Sequence, residues 1–262
     1  MFNSEFYFGS IRKYVTVFGT LFNDIYITRT DANNDPVETI KVPIAYGPKE
    51  PMLARLTQDP NLNRQYAVRL PRMAFEMTTL NYAPDRKLPS ILKNIKTVDG
   101  SNHVKSQYVP VPFDMTFSLY IMSKNAEDGA KIIEQILPYF TPEYTPTVDL
   151  VPEMDIKMDI PLVLINVTSQ DTYETNFTDR RALIWTVDFI MKGYFFGPIK
   201  KTGLITLADT NFLDGVSNEM LSSVVITPGM DANGSPTSNA SNTVSRDQIN
   251  VNDTYGYVIT RT

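Results

Sequence analysis

No cysteine occurs anywhere in the 262 residues. Disulfides, cysteine nucleophiles and thiolate metal sites are therefore excluded, and the chain suits a reducing compartment. Histidine is almost as scarce. His103 stands alone, in a polar stretch with no serine or cysteine motif beside it, and reads as an ordinary exposed side chain. A Gly-x-Ser-x-Gly elbow, a P-loop and a dinucleotide fingerprint are all missing. No spacing of histidine, aspartate and glutamate points to a metal centre. The first residues, MFNSEFYFGSIRKY, lack the basic start and apolar run of a signal peptide, and no apolar run reaches membrane-spanning length. The expected product is soluble and intracellular at birth, which makes the Asn-x-Ser/Thr triplets at Asn166 and Asn176 chance matches. Positive charge is short too, with 24 Lys and Arg against 29 Asp and Glu for a net charge of −5. That balance argues against a general nucleic-acid binder, whose footprint is basic. The sequence offers no enzyme and calls for no cofactor.

What is present is a core. Hydrophobic residues make up 42% and aromatics 11%, enough to exclude bulk disorder. The best-patterned stretch is 109–196. In residues 115–121, Met115, Phe117, Leu119 and Ile121 share one face, as in a half-buried strand. Asn125 then reads as the N-cap of a helix, with Glu127 and Asp128 at the positive end of its dipole and Glu127 one turn from Lys131. Ile132, Ile133, Ile136, Leu137 and Phe140 fall on one side, and Pro138 stops the helix at Leu137. Residues 154–160 alternate methionine and isoleucine with Asp155, Lys157 and Asp159. After Pro161 comes a buried run at 162–167, then a last strand at 184–192 facing Trp185, Val187, Phe189 and Met191 one way.

Upstream, Ser10 can cap a helix carrying Ile11, Tyr14, Val15, Phe18, Leu21 and Phe22 on one stripe, which Gly19 ends or bends. Strands are expected at 25–28 and 39–45, with a Gly-Pro turn and a short helix after them, and again at 70–82. Residues 83–106 show little periodicity and read as a long loop. Past Pro198 the composition turns polar. MDANGSPTSNASN (230–242) cannot bury enough apolar surface to order itself, whereas 251–262, with Tyr255, Tyr257, Val258 and Ile259, is apolar enough to dock. The sequence thus predicts an α+β fold: a mostly antiparallel sheet with a few packed helices, long loops and an extended polar C-terminal segment. Residues 1–206 form one domain and 207–262 an arm or tail.

Several pieces then add up to a resemblance. VPIAYGPKE (42–50), LPR (70–72), NYAP (81–84), SQYVPVP (106–112), EDGAKIIEQILPYFTP (127–142) and RRALIWTVDFIMKGYFFGP (180–198) occur in order. In these the chain resembles the tail sheath stabiliser and completion proteins of contractile-tailed bacteriophages of the T-even type. The likeness fades at 83–102 and from about Leu207 onward. It implies a virion protein, made in the host cytoplasm, that forms a hexameric ring at the head-proximal end of the tail. Its implied partners are further copies of itself, the sheath protein, the tube or its terminator, and the neck proteins, with no membrane and with DNA only passing through the lumen. The alternative is a tube terminator or neck ring that does not bind sheath.

A ring of like subunits needs two different patches per chain. The candidates are Lys49 and Glu50, the charged strand face Asp155, Lys157 and Asp159, the adjacent Arg180 and Arg181, and the tail aromatics Tyr255 and Tyr257. Lys49 or Glu50 is expected to make an ion pair, within or between subunits, that positions the helix after it. The acidic balance suggests a lumen that repels DNA.

Overall fold

The computed structural model describes residues 5–31, 35–50, 70–97, 103–171, 183–203, 205–250 and 253–262. The chain divides into two units, Met1–Leu88 with Pro110–Phe196, and Pro89–Val109 with Gly197–Thr262.

The first unit is organised by strand β7 (Val111–Ser123) paired antiparallel with β12 (Leu183–Phe195) over all 13 residues of each. Outward from this pair, β4 (Arg72–Tyr82) follows β7, and β3 (Ile44–Tyr46) joins β4 in parallel; on the other side lie β11 (Leu162–Asp171) and β8 (Glu143–Tyr144). One face of this six-stranded sheet carries Met73 and Phe75 from β4, Met115, Phe117, Leu119 and Ile121 from β7, and Val187, Phe189 and Met191 from β12, all buried. The alternation read from the sequence places these side chains together, although Trp185, expected among them, is only half-buried.

Helix α1 (Ser10–Leu21) covers that face. Tyr14, Phe18 and Phe22 recur every four residues and are buried. Phe18 stacks on Phe117 with centroids 4.6 Å apart and planes 13° off parallel, and meets Phe75 at 5.2 Å and Phe189 at 5.5 Å. Each such ring contributes about 1.5–3 kcal/mol by burial and each aromatic pair about 0.5–1.5 kcal/mol more. Gly19 does not end the helix. It lets the helix approach the sheet, since a Cβ there would lie 2.8 Å from the Phe75 ring. Ser10 does not cap, either: the N-cap is Gly9, at φ 64°, and Ser10 is buried in the first turn.

Helix α2 (Ala126–Ile136) buries Ile132, Ile133 and Ile136 as its periodicity predicts. Asn125 takes the N-cap backbone position, but its side chain makes no cap hydrogen bond. Asp128 does more than complement the dipole. It is 3% exposed and accepts a 2.8 Å hydrogen bond from Arg29. Lys131 and Gln135 donate to the carbonyls of Thr28 and Tyr26. These bonds tie α2 to β1 (Tyr26–Thr30), which pairs with β2 (Pro36–Lys41). A separate hairpin joins β9 (Thr147–Val151) to β10 (Ile156–Asp159).

The second unit corrects two expectations. Residues 83–106 are no long loop: they carry β5 (Lys93–Thr97) and most of β6 (His103–Tyr108), which pair with each other. β13 (Lys200–Gly203) adds to the other side of β6. The buried Gln107 donates to the carbonyl of Gly197 at 2.6 Å. The polar C-terminal region forms a second three-stranded sheet, β14 (Ala208–Leu213), β15 (Met220–Gly229) and β16 (Gly256–Arg261). Even 230–242 is ordered, by hydrogen bonds where apolar burial fails. Asp231 accepts from the N–H groups of Asn233 and Ser235, Thr243 accepts from the Met230 N–H, and Met230 bridges Pro236.

The α+β expectation is therefore overturned. The described residues hold sixteen strands in several sheets and two α-helices, a mostly-β architecture. Strands with both faces half-exposed lack the alternation that announces a strand, so these segments carry no local sign of pairing in the sequence.

Candidate interaction surfaces

Among the described residues no group of three or more His, Asp and Glu could hold a metal ion. His103 lies exposed at the start of β6. Chemistry gives way to surfaces, and three contain the residues singled out from the sequence.

Lys49 belongs to the face of the central sheet opposite α1. Its ammonium donates to the Gln170 side-chain oxygen at 2.8 Å and lies 5.9 Å from the centroid of the Tyr120 ring. Tyr120 donates to Glu76 at 2.7 Å, and Ser118 donates to Asp188 at 2.6 Å. Burial, followed by the Glu76 hydrogen bond, pushes the Tyr120 phenol up to about 12. Beside this polar network, Ala74, Tyr120, Met122 and Ile184 form a small buried cluster against which Leu70 packs. Within the chain, the described partners of Lys49 are an amide oxygen and an aromatic face. The helix it was meant to position lies outside the described residues. Glu50 is exposed.

The second surface is the hairpin β9–β10. Lys157 and Asp159 share the exposed face of β10, opposite Asp149 and Thr147. Asp159 accepts a 2.6 Å hydrogen bond from Thr147. Asp155 does not share that strand face. It ends a short 3-10 turn, Pro152–Met154, at φ 56°, where a short polar side chain tolerates the left-handed region best after glycine. The inner side of the hairpin buries Val148, Leu150 and Val151. Lys13 of α1 donates to the carbonyls of Asp149 and Leu150, each at 2.9 Å. Charged side chains are thus displayed on a firmly held tip. Arg180 and Arg181 lie outside the described residues.

The third surface brings Tyr255 and Tyr257 together. Their rings meet edge to face at 6.2 Å. Together with Ile205, Leu207, Ile226 and Pro228 they line an open groove on the C-terminal sheet. The sequence reading missed most of this surface. Ile205 is 87% exposed, Val216 97% and Leu221 71%, and Phe212, Leu213, Met220 and Ile259 are each more than half exposed. Registers place Ala208, Ile226 and Ile259 side by side across the three strands. A signal was available, since TNFL and EMLSSVVI are apolar islands in a polar tail, but the pairing that assembles them is non-local.

A family model described as T4-like virus Myoviridae tail sheath stabiliser matches residues 5–254. The tail completion protein gp15 of Enterobacteria phage T4 is 31% identical over 215 residues, covering 79% of this chain and 78% of that protein. The match runs through the first unit and across most of the second, including regions where the motifs alone show no likeness. The chain belongs to the T4-like tail sheath stabiliser family.

Proposed function

We propose that this protein is a ring-forming structural component of a contractile phage tail. It caps the head-proximal end, stabilises the last turn of sheath and the tube beneath it, and presents the surface to which the neck attaches. The reading is supported first by the C-terminal sheet. Phe212, Ile226, Tyr257 and Ile259 lie exposed on one face of that sheet, and neighbouring exposed apolar side chains mark interaction sites. The family description and the name of the T4 relative point the same way.

In this reading the partners are five further copies in a sixfold ring, sheath protein, tube or tube terminator, and neck. Residues 1–206 act as the body, while 207–262 serve as the gripping segment. No catalytic step is assigned, and DNA only passes through an acidic lumen. The decisive experiment adds the purified protein to tube alone and to tube with sheath, with imaging of both. The expected result is a sixfold ring at one end of sheathed tails and weak or no capture by bare tube. Equal capture by bare tube replaces this reading with a tube terminator or neck ring, and no ring on either overturns it.

A further inference from the structure

The two helices of the first unit both end at an open cleft of about 470 Å³, apart from the three surfaces described above. Leu21, the last residue of α1, and Ile136, the last of α2, line it together. Phe22, Ile25 and Phe140 give it a buried apolar floor. Tyr139 and Tyr144 stand at the rim, 71% and 38% exposed. Its charged residues are Asp24 and Glu134, and among the described residues no lysine, arginine or histidine lines it. The electrostatics are one-sided for a second reason. A helix C-terminus carries the negative end of the macrodipole, roughly half an elementary charge, and favours a cation there. Neither α1 nor α2 has a basic residue in its last turn. The nearby cations are already engaged: Lys41 pairs with Asp24 at 2.8 Å and Lys131 with Glu127 at 2.6 Å. Glu134 is exposed and makes no ion pair or hydrogen bond among the described residues.

We infer that this cleft receives an arginine side chain from a partner protein. The chain itself shows the chemistry beside it, where the Lys41 ammonium sits on the Asp24 carboxylate and 5.7 Å from the centroid of the Tyr26 ring. Glu134 with Tyr139 and Tyr144 offers the same pair of elements, a carboxylate and tyrosine faces, to a cation from outside. A guanidinium suits them better than an ammonium. It is planar, stacks on an aromatic face while its fork reaches a carboxylate, and sheds its weak hydration readily over an apolar floor. Its attraction to the ring faces adds to the pull of the two helix ends. A free organic cation is held by walls that close around most of its surface. This cleft stays open on one side, as a side chain carried by another chain requires. Exposed tyrosines, apolar in the ring and wet at the hydroxyl, are also the residues that anchor protein interfaces.

The inference does not rest on the tail-capping reading, and the protein alone suffices to test it. The full chain, carrying carbon-13 in its isoleucine methyls, is titrated with the peptide acetyl-Gly-Arg-Gly-amide while Ile25 and Ile136 are followed by nuclear magnetic resonance. Two further peptides replace arginine by citrulline, its uncharged isostere, and by lysine. The expected result is saturable shifts of both methyls with a dissociation constant of about 1 mM. Citrulline should bind about tenfold more weakly and lysine about threefold. Glu134→Gln should weaken the arginine peptide about tenfold while leaving the unfolding temperature unchanged. Tyr139→Leu keeps apolar bulk and removes the ring, and should weaken it about threefold. An equal response to citrulline or to lysine overturns the inference, and so does undiminished binding by the Glu134→Gln protein. The absence of any saturable shift also overturns it. Tighter binding of tetramethylammonium than of the arginine peptide would assign the cleft to a small free cation and overturn the docking role.

Discussion

Tyr14 is a single side chain that helps hold α1 on the sheet. Its hydroxyl donates to the Tyr194 carbonyl at 2.7 Å and accepts from the Tyr194 N–H at 2.9 Å. Burial pushes its phenol up to about 12. An acid whose folded pKa lies above its unfolded value near 10 stabilises the fold fully below pH 10. That stability is lost as pH rises towards 12, because the unfolded chain releases its proton first. Urea unfolding from pH 9 to 11.5 is therefore expected to show falling stability, and Tyr14→Phe to make the slope shallower by about 1.4 kcal/mol per pH unit. At pH 7 the same substitution costs about 1 kcal/mol for the lost hydrogen bonds. Gly19 gives a sharper test, because propensity and packing disagree in sign. Alanine is preferred to glycine in a helix by about 1 kcal/mol, yet its methyl would meet the Phe75 ring at 2.8 Å. Phe75 is itself held between Phe18 and Tyr46. Gly19→Ala is expected to destabilise by about 1–3 kcal/mol in thermal unfolding; a stabilised variant would show that the ring can yield.

At the level of elements, what could be read from the sequence follows burial. β7 and the inner face of α2 were legible because one side is wrapped and the other is not, so period and face coincide. β14 was not, because all six of its residues are exposed and no alternation exists to read. β6 lies between β5, its near neighbour, and β13, which follows it by more than ninety positions, and no local pattern announces a partner at that distance. Tyr255 and Tyr257 stood out in the sequence as apolar residues in a polar tail. Their groove did not, since its other wall comes from β14 and β15. The caps misled for another reason: residue type favours Asn125, but the carboxylate that works at the start of α2 is Asp128. Asn125→Ala is accordingly expected to cost less than about 0.5 kcal/mol, within the ordinary range of surface changes. Asp128→Asn, which weakens a charged hydrogen bond to the partly exposed Arg29, should cost about 1–2 kcal/mol. Denaturant midpoints of the two variants measured side by side decide the order.

For the molecule as a whole, the proposed reading puts stability and assembly on different residues. The buried side chains of the first unit set the unfolding temperature, while the exposed residues of the C-terminal sheet should contribute almost nothing to it. Tyr257→Ala combined with Ile259→Ala is expected to leave the unfolding midpoint within about 0.5 kcal/mol of the wild type. The same pair should reduce capture on sheathed tails by tenfold or more, the loss of roughly one interfacial anchor. Unchanged capture, scored by counting ringed tail ends in images, would remove the apolar sheet from the proposed interface.

The route of the chain between its units adds a mechanical property. It crosses at Leu88–Pro89, Val109–Pro110 and Phe196–Gly197, and two of these crossings lie within two residues of the start of β7 and the end of β12. Those ends face each other, Val111 opposite Phe195. Tension through these two crossings therefore draws the two central strands in the same direction, and the ladder between them is hardly strained. β4 ends on the same edge, Tyr82 opposite Phe113, and leads to the third crossing, so the load passes into the ladder of β12 with β11 as shear along many hydrogen bonds at once. A sheet loaded in this way does not unzip bond by bond; a whole ladder must slip at once before it yields.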